Sequence, residues 1–121
     1  MTNAPMNPNK ALWEKGDFTR IAASMRESGE ALVQRIGIAK GHKVLDLGCG
    51  DGTTALPAAK QGADVLGVDI ARNLVEAGNK RAAAHGLGNT REVASFPECL
   101  VWIHVRIGHQ TVISFYACCS V

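Results

Sequence analysis

KVLDLGCGDGTT, at residues 43–54, is the stretch of sequence that decides the fold. It opens with an apolar run interrupted by one acid, Asp46, and then places glycine at positions 48, 50 and 52. An apolar run of this length bounded by glycines is typical of a buried parallel strand. The glycines permit a sharp turn and a close backbone approach to a ligand, and Thr53 and Thr54 can cap a following helix. The stretch therefore predicts a strand, a Gly-rich turn and a helix, which form the first half of a nucleotide-binding βαβ unit.

The spacing of the glycines separates three kinds of binding turn. A dinucleotide fingerprint would need glycine at position 53, which is threonine, and a Walker phosphate loop would need a lysine that residues 44–59 lack. What stands at residues 46–52 is Asp-x-Gly-x-Gly-x-Gly. This pattern resembles the first motif of the class I S-adenosylmethionine (SAM)-dependent methyltransferases. Within that class, the chain resembles the small-molecule group that includes quinone-biosynthesis methylases.

The resemblance implies an α/β fold, a Rossmann-like parallel sheet with flanking helices, and SAM as the cofactor. SAM carries no pyrophosphate, so the site needs a thin backbone wall beside the methionine and ribose, and an acid near the ammonium group. The resemblance assigns the acid to Asp46 and the wall to Gly48, Cys49, Gly50 and Gly52. The alternative is a Gly-rich turn with no ligand, but one acid and three glycines in register are hard to explain by packing alone.

A second strand ends in another acid. The sequence predicts a helix over 53–61 and then an apolar strand ending at Asp69, 17 positions after Gly52. In doubly wound folds an acid at the carboxyl end of the second strand receives the ribose hydroxyls. The resemblance therefore implies that Asp69 binds the ribose and that Ile70 packs on the adenine. Asp69 could also cap the next helix, predicted over 71–85, and the two roles do not exclude each other.

The chain before this region divides into an arm and a helix. Residues 1–16 are rich in asparagine and proline and predict a loose arm. Apolar spacing then predicts a helix capped by Asp17 and continuing to about Ile36, ahead of the first strand. In the family such a helix often covers the cofactor pocket, so Trp13 and Phe18 could touch SAM, although packing between helix and sheet is the favoured interpretation. Residues 17–92 form the predicted SAM-binding half of a methyltransferase.

The sequence changes character after Glu92. Residues 93–121 contain one acid, one base and three of the four cysteines, and the acidic segment and fourth strand of the family pattern are not visible. This change suggests the hypothesis that the reading frame shifted near residues 92–94, which the coding DNA would test. Taken as it stands, the tail predicts a hairpin over 101–116 that could add to the edge left by the third strand. The sheet would then be incomplete, with about three family strands and this possible hairpin.

Composition and spacing bear on the partners, the compartment and the metal content of the protein. A net charge of +2 and a pI of about 8.4 indicate no nucleic-acid partner. The absence of an apolar leader and of paired cysteine spacings predicts a cytoplasmic chain with reduced thiols. The apolar stretch 100–119 is broken by polar and charged residues, so no membrane span is predicted. No metal site is expected either, because the tail's cysteines and histidines lack zinc-ligand spacing.

Three functions follow. The first is methyl transfer from SAM to a small-molecule acceptor. The second is a SAM- or nucleoside-binding remnant without turnover, because residues 93–121 do not visibly supply the acceptor side. The third, a Rossmann-type NAD(P) oxidoreductase, is disfavoured by the glycine register. No catalytic residue is assigned, because acceptor contacts in the family come mostly from later strands.

Overall fold

A computed structural model describes residues 8–88, 90–94, 106–107 and 110–114 of the 121-residue chain. The described elements are α1 (Pro8–Glu14), α2 (Thr19–Ser24), α3 (Arg26–Ile36), β1 (Lys43–Leu47), α4 (Ala55–Lys60), β2 (Asp64–Asp69), α5 (Arg72–Ala84), β3 (Thr90–Ala94), β4 (Arg106–Ile107) and β5 (Gln110–Ser114).

The strands form one mostly parallel sheet in the order β3-β2-β1-β5-β4. The central strand, β1, pairs in parallel with β2 on one side and with β5 on the other. The chain thus leaves β1 towards β2 and β3 and later returns to the opposite side of β1. Such a reversal of strand order is where open α/β sheets bind ligands, at the carboxyl ends of the strands. The predicted Rossmann-like α/β fold is confirmed, and the Gly-rich turn lies at this switch point.

The predicted hairpin forms, but on a different edge of the sheet. Strands β4 and β5 are antiparallel, and β5 joins the edge of β1 rather than the edge of β3. The prediction of its position was therefore wrong. The physical reason lies in β1, which buries Val44 and Asp46 and packs against α4, so that an unpaired edge there would leave buried backbone groups without hydrogen bonds. β5 supplies those bonds and takes the place of the fourth strand in a doubly wound order.

The core lies between the sheet and the helices α3 and α4. Nearly every residue of α4 is buried, and its alanines let it pack closely against β1 and β2. Pro57 is the third residue of this helix, where a missing N–H costs no intrahelical bond. The core cluster comprises Val33, Ile38, Val44, Ala55, Ala58, Ala59, Ala63 and Val65.

The N-terminal segment departs from the predicted loose arm, because Pro8–Glu14 is helical. Lys10 and Glu14 form an ion pair one turn apart at 3.5 Å, and Glu14 Oε1 also accepts a hydrogen bond of 2.9 Å from the backbone N–H of Arg72. The asparagines and prolines that suggested an arm fall mostly before this helix; residues 1–7 lie outside the described part of the chain. The predicted 18–36 helix is instead two helices, interrupted at Met25, where φ is −101° and ψ is 4°.

Helix α3 packs against the Gly-rich turn without an intervening side chain. A Cβ built at the buried Gly29 would overlap the backbone carbonyl of Thr53, which cannot move as a flexible side chain could. Gly29→Ala is therefore expected to lower the free energy of unfolding by about 1–3 kcal/mol, the usual cost of overpacking. Urea unfolding measures the loss, with Glu30→Ala on the exposed face of the same helix as the matched control. Equal stabilities of the two variants would contradict the close approach.

Candidate functional site

The Gly-rich turn follows β1 and needs glycine at every second position. Gly48, Gly50 and Gly52 have φ values of 75°, 56° and 84°, in the left-handed region that side chains disfavour. The turn is tied to the neighbouring strand, since the N–H groups of Gly48 and Cys49 both donate to the carbonyl oxygen of Val68, at 2.7 and 3.1 Å. The alternating glycines thus have a conformational cause, and the turn stands directly over the ends of β1 and β2.

Asp69 joins this turn to the start of α5. One carboxylate oxygen accepts the N–H of Gly50 and the other accepts the N–H of Ala71, both at 2.8 Å. The structure therefore brings together the acid of β2 and the glycine turn. Asp69 does not cap α5 as the alternative predicted, because the N-cap residue is Ala71 and no side-chain capping bond is present there; Asp69 only accepts the N–H of Ala71 itself. A carboxylate offers about four acceptor positions, so two bonds leave capacity for further donors. Ile70 follows Asp69 directly and is half-buried.

Asp46 lies beneath the turn with its charge uncompensated. Its side chain is 1% exposed, and neither carboxylate oxygen has a hydrogen-bond partner among the described residues. Burial raises the pKa of Asp46 to about 7. The backbone N–H of Ala55 lies near enough to lower this pKa, although its geometry does not meet that of a hydrogen bond, and the negative charge of Asp69 raises it. A buried carboxylate without hydrogen bonds suits a cationic ligand, because the N–H groups of that ligand would replace the hydrogen bonds to water that the carboxylate lost on burial.

A cavity of about 300 Å³ opens between the turn and the N-terminal helices. Its wall contains Asp46, Gly48, Cys49 and Gly50, whereas Gly52, Asp69 and Ile70 do not line it. The other residues of the wall are mostly apolar: Trp13, Phe18, Ile21, Ala22, Met25, Ser28, Gly29, Leu32, Asp51, Thr53, Thr54 and Leu74.

The two aromatic residues of the N-terminal helices pack against each other at the cavity wall. The rings of Trp13 and Phe18 have centroids 4.9 Å apart at an interplanar angle of 55°. They face the same cavity as the glycine turn, and the favoured interpretation of these residues as packing between helix and sheet did not anticipate that position. Ile21 and Met25 also border the cavity although each is more than half exposed, so α2 forms its rim.

Sequence reasoning missed the role of Asp51. This residue is 1% exposed and forms ion pairs with two arginines, Arg26 from α3 and Arg81 from α5. Arg81 lies in the last turn of α5, where a charged side chain is usually solvated, and the structure instead turns it toward the glycine turn. The signal available in the sequence was a single acid inside a glycine turn, but nothing in the local pattern named its distant partners. Thr54 stands at the N-cap of α4 as predicted, without a side-chain capping bond, and the Thr53 hydroxyl accepts from Arg26 instead.

The described part of the chain contains neither a group of side chains suited to a metal ion nor a membrane-spanning helix. Within it, no group of three or more histidine, cysteine or acidic side chains is placed to hold a metal ion. None of the helices described is both long enough and apolar enough to cross a membrane.

Comparisons of both sequence and structure relate this chain to methyltransferases. A sequence model described as a methyltransferase domain matches residues 44–101. An uncharacterized protein of Mycobacterium tuberculosis is 40% identical over 80 residues, which cover 65% of this chain and 29% of that protein. A 23S rRNA (uracil-C5)-methyltransferase of Alkalilimnicola ehrlichii is 39% identical over 77 residues, which cover 63% of this chain and 17% of that enzyme. The chain thus spans less than a third of the length of these relatives.

A solved structure extends the likeness to the fold. Magnesium protoporphyrin IX methyltransferase from Synechocystis, crystallised with bound S-adenosylhomocysteine (SAH), superimposes with a TM-score of 0.51 and 28% sequence identity. The superposition covers 64% of this chain and 36% of that enzyme.

Proposed function

We propose that this chain, whose sequence and fold resemble those of the class I SAM-dependent methyltransferases, is a member of that class, binds SAM at the Gly48–Gly52 turn and transfers the methyl group to a small-molecule acceptor. The residues proposed to contact SAM are Asp46, Gly48, Cys49, Gly50, Gly52, Asp69 and Ile70.

The buried Asp46 carboxylate is the observation that carries the proposal. Its oxygens lack partners among the described residues, and it borders the cavity beside Gly48 and Gly50. SAM presents an ammonium group, which would give those oxygens charge-assisted hydrogen bonds and stabilise the ionised acid. The residues present therefore fit the cofactor that the family implies.

The glycine turn and the second acid, Asp69, suit the ribose and the adenine of SAM. A Cβ built at Gly50 would meet no atom within 4 Å, so the turn presents bare backbone to open space where a ligand can approach. Asp69 is held at this turn by the Gly50 N–H, and its remaining acceptor positions suit two ribose hydroxyls. The half-buried Ile70 beside it offers an apolar surface for the adenine.

Methyl transfer from SAM requires little covalent chemistry from the protein. SAM supplies a methyl group already activated by the positive sulfonium. The chain's contribution is to hold the methyl donor in line with an acceptor and to exclude water from the site. Trp13, Phe18 and Leu32 form an apolar wall suited to excluding water. A general base is required only when the acceptor must lose a proton first, and none is assigned.

A small molecule is the acceptor class that the cavity favours. The cavity carries proposed SAM contacts on its glycine-turn side, and the apolar side chains of Trp13, Phe18 and Leu32 on its other side suit a small, largely apolar acceptor, as in other small-molecule pockets. The second candidate is RNA, favoured by the 39% identity to the rRNA methyltransferase of Alkalilimnicola ehrlichii. We propose a cytoplasmic location, because a reducing compartment suits a chain that buries Cys49 as a thiol.

Methyl transfer decides between these acceptors and the non-catalytic remnant. The full chain is incubated with SAM labelled at the methyl group, and with either a low-molecular-mass metabolite fraction or total RNA. With the wild-type chain we expect label in metabolites and no label in RNA above background. With the Asp69→Ala control we expect only background label in both fractions. Label in RNA would replace the proposed acceptor class. Binding of SAM without labelled product in either fraction would identify the chain as a SAM-binding remnant.

A further inference from the structure

Three charged side chains from distant parts of the sequence meet beneath the Gly-rich turn. The guanidinium of Arg26 holds both carboxylate oxygens of Asp51, at 2.7 and 2.5 Å, and also donates to the Thr53 hydroxyl at 2.7 Å. Arg81 donates to the backbone carbonyl of Asp51 at 2.5 Å, and the same nitrogen lies 3.5 Å from its carboxylate. The turn is therefore attached to α3 on one side and to α5 on the other.

This cluster differs from an ordinary surface ion pair. Asp51 is 1% exposed, and the side chains of Arg26 and Arg81 are 25% and 30% exposed. A fork-to-fork pair between arginine and a carboxylate fixes geometry as well as charge, which lysine cannot reproduce. Asp51 stands between Gly50 and Gly52, two residues without side chains, so these bonds hold a backbone that has little packing of its own.

We propose that Arg26 and Arg81 are positioning residues for SAM. Acting through Asp51, they hold the glycine turn in its binding conformation and fix the N-terminal helices against it. Arg26 is the first residue of α3, directly after Met25 at the rim of the cavity. Loss of its bonds would free the turn and the helical wall of the cavity to move apart. The expected effect of the two arginines on SAM affinity rests on the proposed binding of SAM at the same turn.

The first test is a double-mutant cycle in SAM affinity. We compare the full chain with Arg26→Gln, Asp51→Asn and the double variant, using Arg35→Gln on the exposed face of α3 as the matched control. We expect Arg26→Gln to weaken binding about 10-fold, Arg35→Gln to leave it unchanged, and Arg26→Lys to restore part of the affinity. The double variant should bind no more weakly than Asp51→Asn alone, because the two residues act as a unit. Strictly additive losses would overturn the inference.

The second test does not depend on SAM. The N–H of Gly52 donates to the Cys49 carbonyl at 2.9 Å within the turn, so its hydrogen exchange reports the local conformation. We expect this exchange to be at least about 10-fold faster in Arg26→Gln than in Arg35→Gln. Equal exchange in the two folded variants would overturn the inference, even if the wild type failed to bind SAM and the proposed function fell. If Arg26→Gln does not fold, Arg26→Lys takes its place in both comparisons.

Discussion

Asp69→Ala is expected to weaken SAM binding at least about 100-fold. The variant removes the proposed acceptor of the ribose hydroxyls, and it also releases the N–H of Gly50 that Asp69 holds at 2.8 Å. Loss of a hydrogen bond to a charged group costs about 1.5–3 kcal/mol, and here the ribose contact and the shape of the turn are lost together. Isothermal titration calorimetry with SAM and SAH measures the change.

Asp64→Ala is the matched control for this variant. Asp64 begins the strand that Asp69 ends, and its side chain is exposed. We expect it to bind SAM like the wild type. Asp69→Ala should also lose about 1 kcal/mol of folding stability, because its carboxylate accepts the N–H of Ala71, the residue directly before α5. A folded Asp69→Ala variant with the affinity of the wild type would remove Asp69 from the site.

Asp46→Asn is expected to abolish a strong dependence of stability on pH. The pKa of Asp46 is raised from an ordinary value of 3.8 to about 7 in the folded chain. Between these values the folded chain keeps a proton that the unfolded chain has released. Its contribution to stability is therefore complete below about pH 4 and is lost as the pH rises to 7, by up to about 1.4 kcal/mol per pH unit. Asparagine does not titrate, so this slope should disappear.

Urea unfolding between pH 4.5 and 8 measures the slope, and Asp64→Asn should keep it because its side chain is exposed. Affinity should follow the opposite trend. The ammonium group of SAM needs ionised Asp46, so binding by the wild type should tighten as the pH rises through 7, whereas Asp46→Asn should bind weakly at every pH. A variant with the wild-type slope and affinity would show that Asp46 is neither buried as described nor part of the site.

The parts of the site predicted correctly from sequence are those encoded locally. The apolar run, the alternating glycines and the strand ending in Asp69 each carry their own signal, and parallel pairing of β1 with β2 brings their carboxyl ends together. The inward turn of Arg81 had no such signal, because a charged residue on a helix is usually solvated. The bond between Arg26 and Asp51 spans 25 positions and depends on how α3 packs, which no local pattern contains.

The tail shows another limit of local patterns. Alternation predicted a hairpin but could not choose between the edges of β1 and β3, since each presents unpaired backbone groups to an added strand. The match to the methyltransferase domain continues to residue 101, past residues 92–94 where a change of reading frame was hypothesised. That hypothesis stays a prediction, and a neighbouring frame encoding the acidic segment and later strands of the family would support it.

The central claim is that the Gly48–Gly52 turn is a SAM site and not a dinucleotide site. Calorimetric titration of the purified full chain with SAM, SAH and NAD, at pH 8, tests it most directly. The account predicts micromolar binding of SAM and SAH, about −8 kcal/mol, and at least about 100-fold weaker binding of NAD. A folded chain that gives no heat with SAM, or that binds NAD more tightly than SAM, would contradict it.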